Sequence, residues 1–195
     1  PGEHRVAEMA HDWNSRNDVT IEVLEDDRFF ANHQRFKNWA NNRRQWRMEH
    51  FYREMRREHR ILMDGNSPAG GKWNFDAANR KKLPRTMAMP NRKRFVPDDI
   101  TREVLVLVDE RFAGHFGSLD AFGWPVTRHE ALEALADFID HHLPLFGDYQ
   151  DAMKTGAPFV FHSLLSPAIN IGLLSPNEVC AAAEAAWQAG DVTLN

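Results

Sequence analysis

The chain has 195 residues, a mass of 22.5 kDa and a net charge of −4, and 43% of its residues are hydrophobic, including 13 Phe and 6 Trp. This composition excludes a disordered or low-complexity polypeptide, and without an apolar run near ~20 residues it also excludes an integral membrane protein. The single cysteine, Cys180, excludes an internal disulfide and a metal site built from several thiolates, so we expect a cytoplasmic protein. The chain does not begin with Met, and we expect it to be an excised or processed piece.

The charges are distributed unevenly between two halves of the chain. Residues 1–95 carry 20 of the 24 Lys and Arg against 13 acidic residues, a balance of +7, whereas residues 96–195 carry 4 against 15, a balance of −11. The change falls within the proline-containing run from Leu83 to Pro97, which indicates a boundary. In one interpretation the two halves attract each other, or each set of charges simply forms a solvated face. In the other, the basic half contacts an anionic polymer. Composition does not decide between these interpretations.

The first predicted elements are one helix and one strand. The pattern of residues 3–16 is typical of a helix with an apolar face of Val6, Met9, Ala10 and Trp13. Residues 19–23 alternate between apolar and polar, which predicts a strand with Val19, Ile21 and Val23 facing inward. Because a single strand leaves its backbone donors and acceptors unpaired, this segment indicates the end of an α/β unit whose other strands lie outside the chain.

A long helical pattern follows from about His33 to Leu62, with Asn32 as its N-cap. Its apolar residues change face partway along. The first stripe comprises Phe36, Trp39 and Trp46, and the second comprises Met48, Phe51, Tyr52, Met55, His59 and Leu62. One straight helix would need two partners to bury both stripes, so we predict a break near Trp46–Met48 or contacts with two neighbouring bodies. We interpret His59 as a packing residue rather than a ligand.

Four arginines lie opposite the second stripe, namely Arg53, Arg56, Arg57 and Arg60. They form either an ordinary charged outer face or a set of contacts with the phosphates of a nucleic acid. As a third interpretation they pair with the acidic second half of the chain, and we favour this over the nucleic-acid contact.

Residues 64–97 form a predicted connection between the halves. The connection contains turn residues, such as those of Asn66–Gly71, and several prolines. Its apolar residues consequently show little helical or strand periodicity. A connection of this length is uncommon inside a compact domain and is typical of a linker or a functional loop. Because Trp73 and Phe75 gain by docking on a neighbour, we predict an ordered strap between domains.

The second half is predicted to be helical, with recognisable helix ends. Asp98 or Asp99 caps a helix that carries Ile100, Val104, Leu107, Val108 and Phe112. Capping boxes occur at residues 127–130 and 175–178, the second with Pro at its first helical position. A short apolar helix is predicted for Leu164–Ile171, ended by Gly172, and Gly190 ends the last helix.

Conventional catalytic motifs are absent from the sequence. It contains no nucleophile elbow, P-loop, zinc-protease helix or paired-cysteine motif, so we predict neither a catalytic nor a metal-binding residue in this chain. His141 and His142 are predicted to lie at a helix end, where an imidazolium favours the negative end of the dipole. Cys180 is interpreted as a small buried residue of its helix.

The most informative local feature is the run FHSLLSPAIN at residues 161–170. Two serines stand immediately before a predicted helix, and Pro167 follows the second one. Backbone amides at such a position have no partner within the helix, and with serine hydroxyls they suit a phosphate or pyrophosphate group. An ordinary N-cap would have the same pattern, so the residues by themselves leave both interpretations open.

Several longer motifs occur in a fixed order along the chain. They are FYREMR at residues 51–56, LMDG at 62–65, GGKWNFD at 70–76 followed by Asn79-Arg80, FGWP at 122–125, FGDYQDAM at 146–153 and HSLLSP at 162–167. Together they resemble the deoxyribodipyrimidine photolyase-related proteins, the prokaryotic iron–sulfur cryptochromes and (6-4) photolyases. The resemblance extends over essentially the whole chain.

The resemblance implies a fold and a domain organisation. The family has an N-terminal α/β antenna domain, a long connection and an all-helical domain that binds FAD. We therefore expect a mainly α internal fragment: residues 1–31 end the antenna domain with one helix and one strand, residues 32–97 form the ordered inter-domain helix and linker, and residues 98–195 begin the FAD-binding domain.

The resemblance also implies a partial cofactor site. The candidate FAD-binding residues are His162, Ser163, Leu164, Leu165, Ser166, Asn170, Phe146 and Tyr149. His162 replaces the Thr of better known photolyases, so we transfer phosphate binding to the loop's amides and serine hydroxyls more firmly than to His162. The 4Fe–4S cluster and the ribityllumazine antenna of the family are expected to bind mostly or wholly outside this chain.

The function implied for the parent protein is light-driven repair of (6-4) pyrimidine photoproducts in UV-damaged DNA by electron transfer from FAD. Arg53, Arg56, Arg57 and Arg60 are its candidate DNA contacts, by charge alone. This fragment is expected to be inactive alone and monomeric, with no membrane partner. The alternatives are a blue-light receptor cryptochrome with a signalling output and a cofactor-free helical interaction domain.

Overall fold

The computed structural model describes residues 4–16, 20–26, 28–41 and 43–194. The chain divides into two compact units, Pro1–Trp73 and Asn74–Asn195. Helices dominate both units, so the predicted mainly α fold is confirmed. The functional domain boundaries after residues 31 and 97 stay predictions. None of the helices in the described part of the chain is long and apolar enough to cross a membrane.

The first unit begins with helix α1, His4–Arg16. The side chains of Val6, Met9 and Trp13 on its apolar face are about half exposed. The predicted strand is wrong for residues 20–23, which have neither helical nor strand structure, and Val19 lies outside the described residues. Alternation of side chains does not make a strand without a neighbouring strand to pair with, and the described residues form no strand pair at this segment.

The predicted break in the long helical pattern is confirmed. Helix α2, His33–Asn41, ends before helix α3, Met48–His59, begins. The side chain of Asn32 caps α2, accepting a hydrogen bond from the amide of Arg35 at 2.7 Å. Aromatic residues of both helices pack together, with Phe51 of α3 at centroid distances of 5.2 Å from Phe36 and 5.1 Å from Trp39.

Helix α3 ends at His59 rather than at Leu62. Arg60 and Leu62 have φ angles of 56° and 50°, and residues in this left-handed region cannot continue a right-handed helix. Two short antiparallel strands follow, β1 at Met63–Asp64 and β2 at Ser67–Pro68, with Met63 opposite Pro68. A single 3₁₀ turn covers Ala69–Gly71.

The second unit begins at Asn74, inside the predicted connection of residues 64–97. A 3₁₀ turn forms at Asp76–Ala78, and the amide of Lys81 then donates to the carbonyl of Asp148 at 3.1 Å. Apolar residues of the connection, Leu83, Met87 and Met89, pack against a small core of Tyr149, Val160 and Phe161. These contacts hold the connection on the helices of its own unit.

Five α-helices follow, with ends close to those predicted. They are α4 at Asp99–Phe112, α5 at Arg128–Asp137, α6 at Leu143–Tyr149, α7 at Ser166–Asn170 and α8 at Pro176–Ala189. Asp98 caps α4, and both capping boxes and the left-handed Gly190 are present as predicted. Helix α7 is shorter than predicted because Leu164 has a φ of 54° and cannot belong to it. The main core comprises Ala131, Leu135, Phe138, Leu165, Ala168 and Leu174.

The expected helix end at His141 and His142 is wrong. A π-helical turn, Phe138–His142, joins α5 directly to α6, and the amide of Leu143 donates to the carbonyl of Phe138. Pro144 explains the wider turn, since it has no amide hydrogen to continue the ordinary ladder and its ring crowds the preceding turn. His142 is consequently carried into the interior, where only 5% of it is exposed.

Candidate anion-binding site

The run at residues 161–166 is a loop anchored at two points. Phe161 is 3% exposed and packs on Tyr149 at a ring distance of 5.7 Å, and Leu165 is 2% exposed within the main core. Between these anchors Ser163 and Leu164 are half-buried and His162 is exposed. Because burial at both ends positions the loop, its central amides have a defined place in the unit.

The central amides of this loop have no protein acceptor. Within the described ranges, no backbone carbonyl or side chain accepts a hydrogen bond from the amides of Ser163, Leu164 and Leu165. An amide without a partner in a partly buried place carries a free-energy cost, which a ligand oxygen or water offsets. Three successive donors of this kind are suited to an anion.

A small cavity of about 30 Å³ lies against the loop. Its lining comprises Arg92, Lys93, Phe95, Trp124, Pro125, Ala134, Asp137, Phe138, His142, His162, Ser163 and Leu164. The volume is about that of one water molecule in the liquid. It therefore accepts one water or one oxygen atom of a larger group, with the rest of that group at the mouth.

Arg92 supplies an unneutralised charge to the cavity wall. Its guanidinium lies 3.9 Å from the ring centroid of Trp124 and 5.7 Å from that of Phe159. No carboxylate of the described residues lies within ion-pairing distance of it. Burial lowers the pKa of Arg92, with a smaller contribution from Arg94, but an arginine stays protonated at neutral pH.

His142 contributes a buried imidazole to the same wall. Its Nε2 lies 3.6 Å from Oδ2 of Asp137, whereas its Nδ1 is buried and has no hydrogen-bond partner among the residues that the structure describes. Burial lowers the pKa of His142, and the nearby Asp137 carboxylate only partly opposes this. The ring is therefore neutral at neutral pH.

The structure brings three of the predicted FAD-binding residues together and separates the others. His162, Ser163 and Leu164 line the cavity, and Leu165 lies in the core beneath them. The other four are elsewhere: Phe146 packs against Phe138, Tyr149 packs against Phe161, and Ser166 and Asn170 are exposed on α7.

Nine of the twelve cavity-lining residues were not predicted as site residues, among them Arg92, Trp124 and His142. Arg92 belongs to a proline-containing run without periodicity, and Trp124 appeared only as part of a family motif. His142 was assigned to a helix end. No local signal points to any of them, because the connection, the turn before α5 and the π-helical turn meet only in the folded unit.

The four arginines of α3 differ in their surroundings. Arg56 is 7% exposed and donates to the carbonyls of Ile61, Leu62 and Trp73 and to the hydroxyl of Tyr52. Arg53 is half-buried and pairs with Glu49 at 2.8 Å. The guanidinium of the exposed Arg57 lies 4.5 Å from the ring of Trp73, and Arg60 is exposed at the left-handed end of the helix.

The expected pairing between basic and acidic halves is confirmed only within the second unit. Lys81 pairs with Asp148 at 2.7 Å, Lys93 with Glu133 at 2.8 Å and Arg80 with Asp151 at 3.2 Å. For Arg53 and Arg56 the favoured pairing with the acidic half is wrong, since a neighbouring glutamate and backbone carbonyls of the first unit satisfy their donors.

The residues present fit only part of an FAD molecule. A cavity of about 30 Å³ is too small for the flavin ring system, but the loop amides and the hydroxyl of Ser163 suit a phosphate oxygen. The described ranges hold no group of three His, Cys, Asp or Glu side chains close enough to bind a metal ion. Cys180 is half-buried, and burial raises the pKa of its thiol.

Fold and site together define a mainly α-helical protein with a half-buried loop suited to an anionic ligand. Comparison with known proteins gives the family. The family model of the deoxyribodipyrimidine photo-lyase-related proteins matches residues 1–124, so the chain belongs to this family.

Two curated proteins show similarity to the chain. A (6-4) photolyase of Agrobacterium fabrum is 45% identical over 195 residues, which is 100% of this chain and 38% of that protein. An uncharacterized protein of Acanthamoeba polyphaga mimivirus is 30% identical over 86 residues, 42% of each chain. The aligned region is therefore less than half the length of each relative, and by family and similarity the chain is photolyase-like.

Proposed function

We propose that the whole protein is a flavin-dependent, light-driven DNA photolyase that repairs (6-4) photoproducts, and that this chain holds the phosphates of its FAD. Membership of the family and the 45% identity to a (6-4) photolyase support the enzyme class. When bound, FAD supplies the light-excited electron for the repair. The chain's own residues contribute binding and orientation, and we propose no catalytic residue among them.

The observation that carries the cofactor role is the set of three successive amides at Ser163, Leu164 and Leu165 without a protein acceptor. These amides would donate hydrogen bonds to a phosphate oxygen, with the Ser163 hydroxyl as a further donor. Phe161 and Leu165 hold the loop in place from both sides, so the donors need no rearrangement to bind. Ser166, Asn170, Phe146 and Tyr149 stay proposed FAD contacts, although the last two pack mainly on neighbouring aromatic residues.

For the DNA partner, the proposed contacts are the arginines of α3. Arg57 and Arg60 are exposed and Arg53 is half-buried, so their guanidinium groups have access to solvent and to phosphates. Arg56 is the least suitable of the four, because backbone carbonyls already accept its hydrogen bonds. We propose no part for this chain in binding the iron–sulfur cluster or the antenna of the family.

A blue-light receptor with a signalling output would share the same flavin loop. No residue described here favours signalling over repair, whereas the relative that matches the whole chain is a photolyase. The cofactor-free interaction domain is disfavoured by the unpartnered amides and by the unneutralised Arg92 beside them.

The experiment that tests the cofactor role compares two substitutions at one position in the whole protein. Ser163→Asp introduces a negative charge beside the loop amides, and we expect it to lower FAD affinity at least about tenfold by repulsion of the phosphates. Asparagine is similar in size to aspartate but has no charge, so we expect Ser163→Asn to retain most of the FAD affinity. The FAD content of each variant is measured by the flavin absorbance of the purified protein, and its FAD affinity by titration of the flavin-free protein.

A matched control for charge is Ser118→Asp, on an exposed loop of the same unit away from the cavity lining. It adds the same charge without approaching residues 162–164. Equal FAD affinity of Ser163→Asp and Ser118→Asp would contradict phosphate binding by this loop, and so would a wild-type protein without flavin affinity.

A further inference from the structure

The segment between α2 and α3 exposes a tryptophan that the sequence pattern places in one apolar stripe with Trp39. In the structure Trp39 is 4% exposed, whereas Trp46 is 67% exposed and the nearby Met48 is 55% exposed. The break between the two helices removes Trp46 from the face that buries Trp39. An indole ring left in water gains stability when a planar apolar partner covers it.

The position of this indole is fixed although most of the residue is exposed. Its Nε1 donates to the carbonyl of Ala40 at 3.2 Å. In the same segment Arg43 pairs with Glu54 of α3 at 2.6 Å, and its guanidinium lies 4.9 Å from the ring of Trp39. These contacts hold the segment on both helices, so Trp46 needs little reorganisation to bind a ligand.

Two exposed arginines, Arg44 and Arg47, stand on either side of Trp46 in the chain. Neither guanidinium has an ion pair or a hydrogen bond with another residue in the described ranges. The glutamates nearest in sequence, Glu49 and Glu54, pair with other arginines. Both guanidinium groups therefore keep their donors available for an anionic partner.

The chemistry of this surface favours a strand of nucleic acid over an acidic protein. Residues 43–60 contain seven arginines and three glutamates, a balance of +4, which attracts a polyanion. A run of carboxylates has no planar group to cover the indole, whereas every unpaired base has a face that stacks on it. Because Arg44 and Arg47 are three residues apart, their Cα atoms lie at most about 11 Å from each other. That spacing suits the phosphates on either side of one nucleotide.

We propose that Trp46, Arg44 and Arg47 form a contact site for single-stranded DNA, in which one unpaired base stacks on the indole and the neighbouring phosphates pair with the two guanidinium groups. The site reads no base edge, so its affinity does not depend on sequence or on a lesion. It lies outside the set of α3 arginines proposed above as DNA contacts. With DNA as the partner of the whole protein, the inference rests on the proposed function and extends it.

The test measures binding of the whole protein, in the dark, to a fluorescent oligothymidylate without a lesion, by anisotropy. We expect Trp46→Ala to weaken binding about tenfold, because one stacked base is lost. Trp46→Phe keeps an aromatic ring but loses the hydrogen bond to Ala40, and it should retain most of the affinity. Trp13→Ala removes a half-exposed indole of α1 and should leave the affinity unchanged.

Two charge variants assign the phosphate contacts. Arg44→Gln and Arg47→Gln should each reduce the slope of log affinity against log salt concentration by about 0.7, the value for one phosphate contact with a single strand. Arg111→Gln, exposed on α4, removes the same charge and should leave the slope unchanged. Acrylamide quenching, compared between the wild type and Trp46→Phe, measures how exposed the indole of Trp46 is. We expect acrylamide to reach it and the oligonucleotide to protect it.

Four results would overturn the inference. They are unchanged affinity and salt slope in the Trp46 and arginine variants, equal losses in Trp46→Ala and Trp46→Phe, an indole that acrylamide does not reach because another part of the protein covers it, and polyglutamate binding as tight as that of the oligonucleotide that depends on the arginines alone. The last result would identify an acidic protein as the partner.

Repair of (6-4) photoproducts by the wild-type protein is measured separately and tests the proposed function. Repair together with any of the four results leaves the proposed function intact and removes only this inference. Binding of the oligonucleotide that depends on Trp46, without repair, supports the inference and contradicts the proposed function.

Discussion

Each unit of the chain contains an arginine stacked near a tryptophan, and the two arginines differ in what accepts their hydrogen bonds. In the first unit Arg56 lies 5.4 Å from the ring of Trp73, and three carbonyls and a hydroxyl accept from it. In the second unit Arg92 lies 3.9 Å from Trp124, and neither a carboxylate nor a carbonyl of the described residues accepts from it.

The difference separates an arginine whose donors are used within the protein from one whose donors remain available. A buried guanidinium that uses four of its five N–H donors within the protein holds the surrounding backbone in place and has at most one donor left for a ligand. A half-buried guanidinium that keeps its donors is desolvated without compensation, so a bound anion stabilises it. Positive charge and an aromatic neighbour are common to both, and therefore they do not separate the two roles.

The largest effect is expected from Arg56→Lys. Lysine keeps the charge but cannot reach the carbonyls of Ile61, Leu62 and Trp73 together, so buried acceptors lose their partners. We expect a loss of about 3 kcal/mol in the free energy of unfolding of the first unit, measured by denaturant titration. The exposed Arg57→Lys is the matched control, and an equal loss in both variants would contradict a structural role specific to Arg56.

A smaller effect is expected from Glu178→Gln in the capping box of α8. Glu178 pairs with Arg128 and accepts from the amide of Ser175 at 2.9 Å, and the Arg128 pair is the main cause that lowers its pKa to about 2. We expect a loss of about 1 kcal/mol in unfolding free energy at neutral pH. Because the folded pKa lies below the ordinary value of 4.5, this stabilisation is present above pH 4.5 and is lost as the pH falls to about 2.

The wild-type protein and the Glu178→Gln variant should therefore approach each other in stability as the medium is acidified. Unfolding titrations at neutral pH and below pH 4.5 measure this convergence. A constant difference between them over that range would show that the carboxylate charge contributes nothing to the helix end.

The smallest effect on stability is expected from Arg92→Gln. Its described contacts are the rings of Trp124 and Phe159, and a partly exposed cation–π contact contributes about 1 kcal/mol or less. We expect the midpoint of thermal unfolding to change little while phosphate binding weakens. A destabilisation as large as that of Arg56→Lys would place Arg92 among the structural arginines and remove the contrast between the units.

Much of the helical organisation was predictable because its signals are local. The change of apolar face between Trp39 and Phe51 predicted the break between α2 and α3, and the sequences of the two capping boxes predicted where α5 and α8 begin. The strand prediction for residues 20–23 was wrong, because a strand depends on a pairing partner, and the pattern of a single segment does not contain that partner. The π-helical turn was not predicted, because its wider ladder follows from the position of Pro144 within a continuous helical segment and not from apolar periodicity.

The sequence alone determined the family, through ordered motifs, and it predicted a phosphate-type loop from the serines and proline of residues 161–170. Only the tertiary structure decided which residues face that loop. Arg92, Trp124 and His142 are far apart in sequence, and they meet because the packed connection, the turn before α5 and the widened turn before α6 enclose one cavity. Burial and unpaired donors are properties of that enclosure, so no single segment could reveal them.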